Sequence, residues 1–227
     1  MVAVGTFKPT DSPRYSFRGT GFAVLDGRLI VTNAHVLPTE PLNPDVGERL
    51  MVAIPGPRRG NPEMRAARVA AVHPRVDLAL LEITGAPLPT LRLAHPEARE
   101  GQRVALMGYP IGAALGLNPV VHQGIVSALV DITEPARAAS QLDERAVQQL
   151  RAGAFTVYQL DATAYPGNSG GPLLSIETGE VLGIVNMVLV KSSRESGLSS
   201  PTGISYAIPA VHAVELIRNR AHWVASQ

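Results

Sequence analysis

The chain has no cysteine among its 227 residues. That excludes a disulfide framework, a thiolate metal site and a cysteine nucleophile. It leaves the compartment open, since cysteine-free chains tolerate oxidising and reducing surroundings alike. Charge is scarce too: Asp, Glu, Lys and Arg supply 17% of the residues, against about 25% in ordinary globular chains. With a net charge of +1, no affinity for nucleic acid or membrane surfaces is expected, and Arg58-Arg59 reads as part of a solvated surface. No apolar stretch approaches the roughly 18 residues of a membrane span, so no membrane insertion is expected. The opening residues, MVAVGTFKPTDSPRYSF, lack a basic leader followed by a sustained apolar run and are not read as a signal peptide. Localisation is therefore left between cytoplasmic and, if a leader was removed, extracytoplasmic (periplasmic or secreted).

What the sequence does hold is 21 glycines, 19 prolines and 45% hydrophobic residues, enough at this length to bury a real core. Short apolar runs with period-two alternation, bounded by Gly, Pro and Asp, recur from end to end and read as strands. Phe22–Leu25 and Leu29–Thr32 flank Asp26-Gly27, a type I′ hairpin signal. Further strands are expected at 50–54, 67–72, 78–83, 103–108, 120–129, 155–160, 180–189 and 203–208. Two segments break the pattern. Residues 135–152 are rich in helix formers and end at Gly153. Residues 209–224 open with Pro209 and place Val211, Val214 and Ile217 on one face. The expected division is one barrel over about 17–95, a second over about 100–208 and a closing helix, with APLPTLRLAHPEAREGQ as the linker.

Gly167-Asn168-Ser169-Gly170-Gly171 satisfies G-x-S-x-G, a pattern that two unrelated hydrolase folds use and that an ordinary glycine-rich turn also satisfies. A serine hydroxyl is a poor nucleophile until a base takes its proton, so catalysis needs a histidine and a carboxylate to hold its tautomer. The α/β-hydrolase order places acid and histidine after the serine. Downstream of Ser169 there is no aspartate, Pro172 and a strand follow the turn where a helix is required, and that reading fails. The opposite order, His…Asp…Ser, is met by His35 in VTNAHVL, just past a strand, and by Asp77, which opens the apolar run LALLEI. A carboxylate at such an edge is costly without a partner, and His35 is the obvious one. His73, His95, His122, His212 and His222 have no ligand spacing, so no metal site is expected. Gly19-Thr20-Gly21 reads as a strand feature, because no helix follows it to bind a phosphate.

The segments TNAHV, DLALLEI, GYPIG, GIVSAL, PGNSGGPLL, GEVLGI and GISYAIP, in that order, resemble trypsin-like serine proteases, and most closely the protease domain of the HtrA family (the DegP and DegS type). The likeness covers about residues 19–217. It implies an all-β chain of two six-stranded antiparallel β-barrels with a C-terminal helix and one helical insertion in the second barrel, taken as a single protease domain over 1–227. It implies a serine endopeptidase acting on unfolded or extended polypeptide in protein quality control, without cofactor or metal. Ser169 is then the nucleophile, His35 the general base, Asp77 the orienting carboxylate, and the N–H groups of Gly167 and Ser169 the oxyanion hole. The alternative is a substrate-binding or chaperone-like module with a latent or effector-switched site.

The resemblance also implies a specificity pocket built from Thr163, Tyr165, Asn186, Met187 and Val188. Thr163 carries no charge, and Met187 and Val188 bring apolar bulk, so cleavage is expected after small or medium aliphatic residues. The backbone of Asn186–Val188 is expected to pair with extended substrate. Tyr165 stands where the family has asparagine, the 135–152 insertion is longer than usual, and the chain ends too soon after AIP for a PDZ domain. A homotrimer through Phe7, Tyr15 and Phe17 is a further implication.

Overall fold

The computed structural model describes residues 1–56, 62–95, 97–110, 117–132, 155–187 and 203–223. Six strands close the first barrel: β1 (Val2–Phe7), β2 (Tyr15–Val24), β3 (Leu29–Asn33), β4 (Arg49–Ile54), β5 (Glu63–His73) and β6 (Leu78–Ile83). Their order is β1-β2-β3-β6-β5-β4. The second barrel holds β7 (Arg103–Gly108), β8 (Val120–Ile132), β9 (Phe155–Asp161), β10 (Pro172–Ser175), β11 (Val181–Asn186) and β12 (Ile204–Pro209). These run β10-β11-β12-β9-β8-β7. Every neighbouring pair is antiparallel. Closure of each sheet leaves no unpaired edge, which lets short strands form a stable fold.

The first barrel begins earlier than the sequence pattern indicated. Val2, Ala3 and Val4 are fully buried, and β1 joins β2 to β4, completing the ring. The expected two-residue hairpin turn is a four-residue loop. Val24 pairs with Leu29, and the left-handed positions are Leu25 (φ 53°) and Gly27 (φ 79°), not Asp26. The C-terminal helix α1 (Ala210–Arg218) also packs a different face. Ala210, Ala213, Leu216 and Ile217 are buried, whereas Val211 and Val214 are only half-buried. The helix expected at 135–152 lies outside the described residues.

One apolar cluster welds the barrels together. It joins Phe22, Val31, Leu78 and Leu80 of the first to Val181, Ile184 and Ile208 of the second, and to Ala213, Leu216 and Ile217 of α1. The linker is tied to both sides: the Leu91 N–H donates to the Ala23 carbonyl at 2.9 Å and the Ala94 N–H to the Val181 carbonyl at 2.8 Å. Loops at the mouth of one barrel are thereby held in register with loops of the other.

Near this seam His73 stacks on Trp223 with ring centroids 4.0 Å apart, and its Nδ1 is buried with no hydrogen-bond partner among the described residues. Burial, with lesser contributions from His212 and Arg75, holds its pKa below the usual 6.5. The folded chain therefore resists a proton that the unfolded chain accepts, and stability is lost as pH falls from about 6.5 toward the lowered native value. Melting temperature should drop on acidification through that range. His73→Phe, which keeps the stack and removes the titrating group, should flatten the acid limb; an unchanged limb would contradict the assignment.

Candidate active site

The register of β3 against β6 creates the first half of the site. Asn33 lies opposite Leu78, so the turn after Asn33 reaches the residue before Leu78. His35 occupies the short 3-10 turn Ala34–Val36, and Asp77 follows the turn Pro74–Val76 in the left-handed conformation (φ 53°). Aspartate tolerates that conformation better than most side chains. The Asp77 carbonyl accepts the Ala34 N–H at 3.1 Å and the Asn33 Nδ2 amide at 3.0 Å. From β2, Arg18 donates to the carbonyls of Val36 at 2.7 Å and Leu37 at 2.8 Å, holding the segment after His35.

Three donors converge on the Asp77 carboxylate. Oδ1 accepts the His35 backbone N–H at 2.8 Å, and Oδ2 lies 2.5 Å from His35 Nδ1. Oδ2 also accepts from Asn186 Nδ2 at 2.6 Å. An ionised carboxylate can only accept, so the proton on the ring is at Nδ1 and Nε2 is left as the basic nitrogen.

Asn186 was expected to serve substrate through its backbone. Its side chain, which that expectation did not involve, is buried on Asp77, across a separation of 109 residues. Asn33 and Asn186 had no sequence signal beyond a polar residue ending a buried strand, and Arg18, exposed within β2, had none.

The second half of the site is the turn between β9 and β10. Gly167 has φ 101°, and the Asn168 N–H turns back to the Tyr165 carbonyl at 3.0 Å. Among the described residues, the N–H groups of Gly167 and Ser169 have no intramolecular acceptor. A buried backbone donor without an acceptor is uncommon, and Ser169 is buried. The Ser169 hydroxyl accepts the Met187 N–H at 3.3 Å. No hydrogen bond among the described residues joins it to His35.

Other sequence-derived positions fall around this turn. Thr163 and Tyr165 are half-buried, and the Tyr165 ring lies 5.7 Å from that of His122. Met187 packs against the core of the second barrel. Val188 lies outside the described residues. The three aromatics near the N-terminus are engaged within the chain. Phe7 carries the Arg49 guanidinium 5.9 Å over its ring, Tyr15 donates to the Ala3 carbonyl at 2.8 Å, and Phe17 meets Tyr109 edge-on at 6.4 Å.

A family model described as a trypsin-like peptidase domain matches residues 19–184. The mitochondrial serine protease HTRA2 of Bos taurus is 36% identical over 194 residues, covering 85% of this chain and 34% of its own length. A DegP-like periplasmic serine endoprotease of Chlamydia muridarum is 30% identical over 211 residues, covering 92% and 35%. The chain thus spans about a third of the length of these relatives. Among solved structures, the serine endoprotease of Yersinia pestis has a TM-score of 0.63 at 25% identity, covering 97% of this chain and 63% of that one. An inactive form of Rv3671c from M. tuberculosis H37Rv has a TM-score of 0.62 at 21% identity, covering 97% and 86%. At that identity the second likeness is one of fold.

Proposed function

The chain belongs to the trypsin-like peptidase family, and from that premise we propose that it is a serine endopeptidase of the HtrA type, acting on exposed, extended polypeptide. The observation that carries this reading is the Asp77–His35 pair, tied to the second barrel through the Asn186 amide, together with a serine turn whose Gly167 and Ser169 N–H groups have no acceptor among the described residues.

In the proposed reaction His35 Nε2 takes the proton of the Ser169 hydroxyl as the oxygen attacks the scissile carbonyl. Asp77 stabilises the imidazolium that forms, and the N–H groups of Gly167 and Ser169 receive the oxyanion. The imidazolium then protonates the leaving amine, and water, activated by the same ring, hydrolyses the acyl-enzyme and restores the serine. The Ser169 oxygen accepts from the Met187 N–H, which leaves its O–H free to donate to the base, and catalytic hydrogen bonds of this kind often tighten only when substrate arrives.

The names of the DegP-like relatives include the periplasm, and an extracytoplasmic setting is part of this proposal. A second reading, a binding cleft with a latent site switched by an effector, draws on the Ser169 hydroxyl resting on Met187 rather than on His35.

Incubating the protein with a permanently unfolded polypeptide and mapping the fragments by mass spectrometry separates these readings. Cleavage without any added effector, mainly after Val, Ala or Leu, is expected, because Thr163 offers no charge to a basic side chain. Dominant cutting after Arg or Lys would overturn the pocket reading, and no cutting would favour the latent one.

A further inference from the structure

Gly19-Thr20-Gly21 reads from sequence as a plain strand feature, yet β2 uses its central residue to grip the other barrel. Thr20 is fully buried. Its hydroxyl donates to the Gly167 carbonyl at 2.7 Å and accepts the Tyr109 N–H at 3.1 Å. Its own backbone N–H donates to the Ser169 carbonyl at 2.8 Å. Its carbonyl is in turn held by the Thr32 hydroxyl at 2.7 Å. One residue of the first barrel therefore fixes the carbonyls of the two residues in the second whose N–H groups have no acceptor among the described residues.

The geometry points to Thr20 as a positioning residue that sets the Gly167–Ser169 loop from the opposite barrel. This rests on the proposal that Gly167 and Ser169 supply the oxyanion donors. The peptide after Gly167 is anchored by the Thr20 hydroxyl, and the peptide after Ser169 by the Thr20 N–H. The Ser169 N–H lies between these two anchors, and the Gly167 N–H adjoins the first, so the anchors limit how far the turn can swing either donor out of place. The hydroxyl is suited to this place because it donates and accepts at once. Valine has the same shape, but it would leave the Gly167 carbonyl and the Tyr109 N–H unpaired in a buried position.

Thr20→Val, Thr20→Ser and Thr32→Val are to be compared with the wild type at a temperature where circular dichroism shows every variant folded. Thr20→Val should lower kcat roughly 10- to 100-fold, approaching the worth of one oxyanion donor, with KM changed by no more than about twofold. Its affinity for a peptide aldehyde, whose serine adduct places an oxygen between the two N–H groups, should fall in parallel. Thr20→Ser, which keeps the hydroxyl, should retain most of the activity. Thr32→Val, which removes a buried hydroxyl of the same network without touching Gly167, should keep kcat. A folded Thr20→Val with wild-type kcat would overturn the inference. So would a Thr20→Ser enzyme as slow as Thr20→Val, or a Thr32→Val enzyme equally slow. Ser169→Ala in the same assay separates the two claims: if it still cleaves, the reading of the site fails; if it is inert while Thr20→Val is fully active, only the role of Thr20 fails.

Discussion

Asp77→Asn is expected to cut turnover by about 10⁴-fold while leaving the fold intact. The backbone does not object to the exchange, because asparagine adopts the left-handed conformation as readily as aspartate, and residue 77 has φ 53°. The hydrogen bonds do object. The carboxylate accepts from the His35 backbone N–H, the His35 ring and the Asn186 amide, and a carboxamide has one oxygen for these three donors. Whichever way the new amide turns, an N–H faces a donor. If it faces the ring, His35 must present Nδ1 as an acceptor and carry its proton on Nε2, where it cannot receive the serine proton. If it faces the His35 N–H, the turn that carries the ring loses its tether. Steady-state kinetics with a melting curve would check this; a variant as stable as wild type and as active would contradict the assignment of Asp77.

Gly167→Ala is the second large effect. A methyl group at residue 167 would come within 2.3 Å of the Tyr109 carbonyl oxygen and 2.9 Å of the Phe17 ring, and the first of these is backbone that cannot swing aside. The φ of 101° adds strain of about 1–3 kcal/mol for a side-chain-bearing residue. The loop must shift, and the Gly167 N–H shifts with it. A fall in kcat of about 10²–10³ is expected, with a loss of melting temperature of roughly 2–4 °C for each kcal/mol in a chain of this size. Gly101 supplies the control. Its φ is 78° but nothing lies within 4 Å of its added methyl, so Gly101→Ala should cost strain alone and leave kcat unchanged. Equal kinetics in the two variants would remove Gly167 from the site.

The parts of the site that were legible in the sequence are those carried by local runs. Ser169 in its glycine-rich turn, His35 after a buried strand and Asp77 before one each announced themselves through neighbours a few residues away. The two-barrel architecture followed from recurrent short strands. What escaped was long-range or decided by packing. β1 is a strand because β2 and β4 both need its buried Val2–Val4 face, and six residues beside a proline-rich loop do not reveal that. Asn186 looks like any polar residue ending a strand until the fold brings Asp77 within 2.6 Å. Thr20 reads as filler between glycines until the second barrel closes over it. The inward face of α1 was placed only in part: Ile217 is buried as expected, but Ala210, Ala213 and Leu216 complete the face and Val211 and Val214 are half-buried.

Labelling of the purified protein with a fluorophosphonate probe tests the central claim most directly, beside Ser169→Ala and His35→Ala. Phosphonylation requires a serine activated by a base, and it needs no knowledge of the natural substrate. Labelling of the wild type is expected, absent in Ser169→Ala and lost or nearly lost in His35→Ala. Labelling that persists in Ser169→Ala, or a folded wild type that takes no label, would contradict that claim.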